Sequence, residues 1–151
     1  VNTTIAKAFR PVQLLLVDDS PGDVRLMEEA FRKAAPKVQL NVATDGMEAM
    51  AFLSKKGRHV DAPRPSLILL DLNLPKMDGR EVLARIKADP ALKSIPTIVL
   101  TLSECESDII ASYRLHASCY LSKPVALDDF DRLVNSINEF WLKKVTFSQA
   151  A

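Results

Sequence analysis

The sequence predicts an α/β fold in which a parallel sheet of five strands carries helices on both faces. Three observations lead there. Short apolar runs alternate with helix-spaced segments five times along the chain. The runs, "QLLLV", "SLILL" and "TIVL" among them, are almost unbroken, as strands buried on both faces are. The 151 residues then divide into strand–helix units without an internal repeat, which is the pattern of successive right-handed crossovers.

Each element has its own signal. Gln13–Val17 is the first strand, stopped by "DDSPGD". Ser20 caps the following helix, and Pro21 takes its first helical position, where a missing N–H costs nothing. Val24, Met27, Phe31 and Ala34 form that helix's inner face, and Pro36 ends it. Val38–Ala43 alternates more clearly and reads as a strand nearer the sheet edge. A helix over Gly46–Lys56 follows, with Asp45 and Glu48 as a capping-box pair, and "GRHVDAPRP" is a polar loop. "SLILL" is the third strand and Gly79–Ala88 the third helix, Asp78 and Glu81 standing in the same capping relation. Thr97–Leu100 is the fourth strand, and Ser103 and Glu106 cap a helix running towards Leu115. Cys119–Leu121 is a short fifth strand. The last helix carries Leu127, Phe130, Leu133, Ile137 and Phe140 on one face.

Composition narrows the function classes. With 48% hydrophobic and 26% charged residues the chain is globular rather than disordered. Its 20 basic residues are scattered and the net charge is +1, so no nucleic-acid footprint is expected. No apolar run approaches the roughly 20 residues of a membrane helix, and "VNTTIAKAFRPVQ" lacks the apolar core of a secretion signal. Cys105 and Cys119 lack metal-ligand spacing and read as free thiols of a cytoplasmic protein. The absence of a GxxxxGK run leaves no support for a P-loop.

In parallel sheets flanked by helices, ligands bind outside the carboxyl ends of the strands. The first strand ends in Asp18-Asp19, the third in Asp71, the fourth in Thr101, and the fifth runs into Ser122-Lys123-Pro124. Three carboxylates, a hydroxyl and an ammonium therefore share one rim. Two carboxylates about 4 Å apart repel by roughly 4 kcal/mol at an effective dielectric of 20, so a cation is needed among them. Oxygen donors with room for water suit Mg²⁺, which leaves positions open for a phosphate. Asp71 beside such a metal is a nucleophile towards phosphorus, with Lys123 and Thr101 placed to stabilise the moving phosphoryl group.

At these residues the chain resembles the receiver domain of two-component response regulators. "LLLVDDSPGD", "LILLDLNLPKMDG", "VLT" and "YLSKPV" occur in the family's order and spacing, and the likeness covers about Val12 to Trp141. The resemblance implies a flavodoxin-like (CheY-like) sheet of strand order 2-1-3-4-5, with residues 1–11 as an N-terminal extension, 12–142 as the receiver domain and 143–151 as a tail. It implies Asp71 as acceptor for a histidine kinase's phosphohistidine, rather than as a turnover enzyme's nucleophile. It implies Mg²⁺ (or Mn²⁺) bound directly by Asp19, Asp71 and the backbone carbonyl of Asn73, with Asp18 helping, often through water, and Thr101 and Lys123 on the phosphoryl oxygens. Tyr120 stands at the aromatic switch position, and the Lys123–Pro124 bond is expected cis. "DDSPGDVRLMEEAF", the long loop before the third strand and "INEFWLKKV" are similar to the regulators paired with cyanobacterial phytochromes, which implies a phytochrome-type kinase.

One position departs from the pattern. The residue after the switch threonine is usually small in this family and is Leu102 here, from which slow dephosphorylation is expected. About ten residues follow the last helical run, too few for a DNA-binding output domain. Output is therefore expected through protein association, as a homodimer formed by the fourth helix, fifth strand and fifth helix. Two competing readings remain. A phosphohydrolase with an Asp nucleophile wants a second acid two residues on, where Asn73 stands. The other is a receiver-like interaction module that is never phosphorylated.

Overall fold

The computed structural model describes residues 11–102 and 105–143. Five parallel strands, β1 (Gln13–Val17), β2 (Gln39–Ala43), β3 (Leu67–Leu70), β4 (Thr97–Thr101) and β5 (Cys119–Ser122), lie in the order β2-β1-β3-β4-β5. Between and after them run α1 (Pro21–Ala34), α2 (Gly46–Leu53), α3 (Gly79–Ala88), α4 (Glu106–Arg114) and α5 (Leu127–Ile137). The predicted fold is the observed one. Among the described residues no helix is long and apolar enough to cross a membrane.

The twofold alternation of a strand divides the core between the two sheet faces. Leu15, Val17, Ile68, Leu70 and Val99 pack with α2 and α3 through Ala49, Phe52, Val82, Leu83 and Ile86. Leu14, Leu16, Leu67, Leu69, Ile98 and Leu100 pack on the other side with Met27, Phe31, Phe130, Val134 and Ile137 of α1 and α5. Central β1, β3 and β4 are buried on both faces, whereas β2 and β5 are half-buried edges. Every apolar strand thus ends at one rim, which fixes where Asp18, Asp71 and Thr101 emerge.

The helix starts agree with the sequence in outline and differ in partners. Ser20 caps α1 by accepting the Asp23 N–H (3.3 Å), with Pro21 inside the first turn. Asp45 caps α2 by accepting the Glu48 N–H (2.7 Å), but Glu48 does not reach back to it. Glu48 accepts instead from the Thr44 N–H and hydroxyl and pairs with Arg58. Asp78 caps α3 through the Arg80 N–H (2.8 Å), while Glu81 bonds Arg85 one turn on. Ser103 lies outside the described residues. The α4 N-cap is Cys105, without a side-chain capping bond. Helix α2 stops at Leu53, short of Lys56, because Lys55 adopts φ +55° and Lys56 N–H closes onto the Ala51 carbonyl.

The last helix corrects the predicted face at both ends. Leu127 and Phe140 are exposed, at 67% and 57%, while Phe130, Val134 and Ile137 are buried. From Asn138 to Leu142 the helix widens into a π turn. The wider turn carries Trp141, not Phe140, onto the core, and Phe140 stands edge-on against it. Asn138 anchors this end by donating to the Ala34 carbonyl of α1 (3.2 Å).

Candidate functional site

Four of the five strands deliver a side chain to the same rim. Asp18 follows β1 and is 1% exposed, Asp71 follows β3, Thr101 is the last residue of β4, and Lys123 follows β5. Asp19, beside Asp18, is exposed. One carboxylate oxygen from each of Asp18, Asp19 and Asp71 lies within 4.8 Å of the other two, close enough to share one cation.

The loop after β3 is held from two sides. The Asp71 N–H extends the ladder to the Val17 carbonyl (2.9 Å), and Oδ1 of Asp71 accepts the Asn73 N–H (3.1 Å). Gly79 opens α3 directly against this loop, so a Cβ there would overlap the Asp71 carbonyl and the Leu72 backbone. Gly46 of α2 meets the Met77 carbonyl in the same way. Both glycines are needed for close approach, and Gly79 seats α3 directly on the Asp71 backbone.

Lys123 Nζ reaches the centre of the site. It lies 2.7 Å from Asp18 Oδ2, 2.9 Å from Asp71 Oδ2 and 2.9 Å from Asp23 Oδ2, its side chain 4% exposed. Burial alone would lower the pKa of this ammonium, but its bonds to Asp18, Asp71 and Asp23 outweigh that and hold it well above the usual lysine range. Asp18 moves the other way for a carboxylate. Burial pushes it up, against the pull of Lys123 and of the Ser20 N–H on Oδ1 (2.9 Å). The two directions agree physically, since one ammonium is shared among three carboxylates, two of them buried.

Thr101 Oγ1 is fully buried and finds no hydrogen-bond partner among the described residues. An unpaired buried hydroxyl costs about 1–3 kcal/mol, so this rim holds a donor that lacks its acceptor. Its backbone carbonyl accepts the Lys123 N–H (2.8 Å), which couples β4 to the lysine. Tyr120 is half-buried in β5 beside Val99, and its N–H donates to Tyr113 Oη of α4 (3.2 Å).

Asp18, Asp19, Asp71, Thr101 and Lys123 therefore come to one rim, with Asn73 two residues beyond Asp71. Two differences stand out. The Lys123–Pro124 bond, expected cis, is trans. The two X-Pro isomers differ by only about 0.5–1 kcal/mol, and the trans chain already brings Nζ to the acids. Asp23 was not foreseen at the site. It lies in the first turn of α1, and no local pattern sets it apart from an ordinary first-turn acid.

Residues 14–137 match the family described as the response regulator receiver domain. Response regulator Rcp1 of Synechocystis sp. is 51% identical over 140 residues, covering 93% of this chain and 95% of that protein. The crystal structure of the Mn(2+)-bound form of Rcp1 is similar with a TM-score of 0.86, covering 91% of this chain and 99% of that one. The crystal structure of the phosphorylated cyanobacterial phytochrome response regulator RcpA is 47% identical with a TM-score of 0.88, covering 92% and 99%.

Proposed function

The chain belongs to the response regulator receiver family, and from that premise we propose that Asp71 accepts a phosphoryl group from the phosphohistidine of a phytochrome-type sensor kinase. The single observation that carries this reading is the convergence of Asp18, Asp19 and Asp71 around one point, with Lys123 Nζ on the acceptor carboxylate. In the transfer an Asp71 oxygen forms the new bond to phosphorus as the donor's phosphorus–nitrogen bond breaks. The imidazole departs with the electron pair. The protein is thus the kinase's substrate rather than an enzyme in the ordinary sense.

The donor set fits a hard divalent cation: the three carboxylates of Asp18, Asp19 and Asp71 outnumber the ammonium of Lys123. Asp18, Asp19, Asp71 and the Asn73 carbonyl would hold Mg²⁺ or Mn²⁺, which would supply charge neutralisation for the phosphoryl oxygens. Lys123 gives up one of its carboxylate partners to contact a phosphoryl oxygen. Thr101 Oγ1, buried without an acceptor, donates to another.

Signal output follows from that last bond. Phosphorylation adds about −1.5 to −2 charge. As Thr101 turns towards it, Tyr120 gains room to turn inwards and biases the α4–β5–α5 face, through which a homodimer forms. Ile110 and Tyr113 of α4 are exposed there, which supports an association surface. The receiver unit spans 12–142 and acts in the cytoplasm. Leu102, exposed beside Thr101, slows loss of the phosphate.

Intact mass after incubation with a small phosphodonor and Mg²⁺ tests the reading, with Asp71→Asn as control. Gain of one phosphoryl group in the parent alone is expected. No gain in either protein would favour a receiver-like interaction module instead.

A further inference from the structure

We infer that Asp23 is a positioning residue that takes over the Lys123 ammonium when a divalent cation claims Asp18 and Asp71. This rests on the metal and phosphoacceptor reading above and adds a residue to it.

The local geometry shows how Asp23 is freed for this. Ser20 caps α1, and Asp23 sits three residues later, where a capping-box acid would turn back onto the cap's own N–H. Here the Ser20 N–H is already taken by Asp18 Oδ1 (2.9 Å), while the Asp23 N–H donates to Ser20 Oγ (3.3 Å). The Asp23 carboxylate is left to face inwards, and its Oδ2 lies 2.9 Å from Lys123 Nζ.

An ammonium has three N–H donors, and Lys123 has three carboxylates within 2.9 Å: Asp18, Asp23 and Asp71. Asp18 and Asp71 belong to the group of acids that can share one cation, and Asp23 does not. A dication drawing in those two carboxylates competes with Nζ for their charge. The buried lysine must then move or find another anion, because an unpaired charge at 4% exposure is costly. Asp23 is that anion. It is partly solvated, at 28% exposure, so it keeps its own charge cheaply while the deeper acids turn to the metal.

Asp23→Asn keeps the shape and the first-turn position but removes the charge. The lysine then remains on Asp18 and Asp71, and the cation has to displace it. The test is the Kd for Mn²⁺, followed by the electron paramagnetic resonance signal of the free ion, in the full chain and in a Lys123→Met background. A loss of roughly fivefold or more is expected in the parent background, because the ammonium that the cation displaces is then left without an anion. It should fall to about twofold or less once the lysine is gone. An unchanged Kd in the parent background, or an equal loss in both, would overturn the role through Lys123.

A second measurement avoids the lysine variant. With Mg²⁺ bound, the ¹⁵N–¹H resonance of the Lys123 ammonium should stay sharp in the parent and broaden through water exchange in Asp23→Asn. Equal sharpness in both refutes the proposal. Failure of the parent to bind Mn²⁺ at all would instead bring down the metal reading, and this inference with it.

Discussion

Replacing Lys123 with Met tests the electrostatic account of the site most directly. Methionine keeps much of the aliphatic stem and removes the ammonium that lies within 2.9 Å of Asp18, Asp23 and Asp71. The triad oxygens lie within 4.8 Å of one another. At an effective dielectric of 20, two charges at that separation repel by about 3.5 kcal/mol, which agrees with the roughly 3–5 kcal/mol for breaking a buried ion pair. Asp23 is partly exposed and adds little. The variant should therefore lose about 3–4 kcal/mol at pH 7, a fall in Tm of about 10 °C for a chain of this size.

The pH dependence has a definite sign. Asp18 is already pushed up by burial, and without the Lys123 bond that opposes this it rises further. A carboxyl whose folded pKa lies above its unfolded value favours the folded state while protonated and loses that contribution as pH rises through its range. The deficit against the parent should be widest at pH 7 and close as pH falls through the carboxylate range. Mg²⁺ should narrow it as well, by binding the folded acids. Thermal melts of both proteins at several pH values, with and without Mg²⁺, measure this. A deficit that neither pH nor Mg²⁺ alters would refute the charge argument and point to lost packing.

Other outcomes can be stated briefly. Gly79→Ala puts a Cβ onto the Asp71 carbonyl, so it should cost about 1–3 kcal/mol in urea unfolding and weaken Mn²⁺ binding together. Asp45→Ala removes the α2 cap and should cost about 1 kcal/mol. The Glu48 N–H holds the Asp45 carboxyl below its usual range, so its contribution is present at neutral pH. The parent–variant difference should shrink as pH falls through that lowered range. Arg80→Gln breaks the tie from α3 to Asp108 in the first turn of α4, and hydrogen exchange should then quicken across α4 but not α3. Leu102→Ala should shed phosphate from Asp71 faster than the parent in a chase by intact mass. An equal rate would remove Leu102 from the account of phosphate lifetime.

The sheet and most of the site were legible in the sequence because their causes are local. A buried parallel strand must be an apolar run, and a carboxylate directly after it, as at Asp18 or Asp71, is carried to the rim. Ser20-Pro21 and Asp78-Gly79 announced helix starts by the same kind of short-range chemistry. Partners across the fold were not legible. Lys123 meets Asp23 a hundred residues earlier only because β5 and α1 converge on one rim, and nothing near Asp23 distinguishes it from an ordinary first-turn acid. The π turn at Asn138–Leu142, which packs Trp141 against the core in place of Phe140, likewise depends on how α5 packs against α1. So does the hydroxyl of Thr101, whose residue type marked it for the rim but whose burial without a partner among the described residues is a property of the assembled core. Sequence periodicity determined which residues reach the strand ends. Tertiary packing decided which of them touch, because contact between distant segments depends on distances that no local pattern encodes.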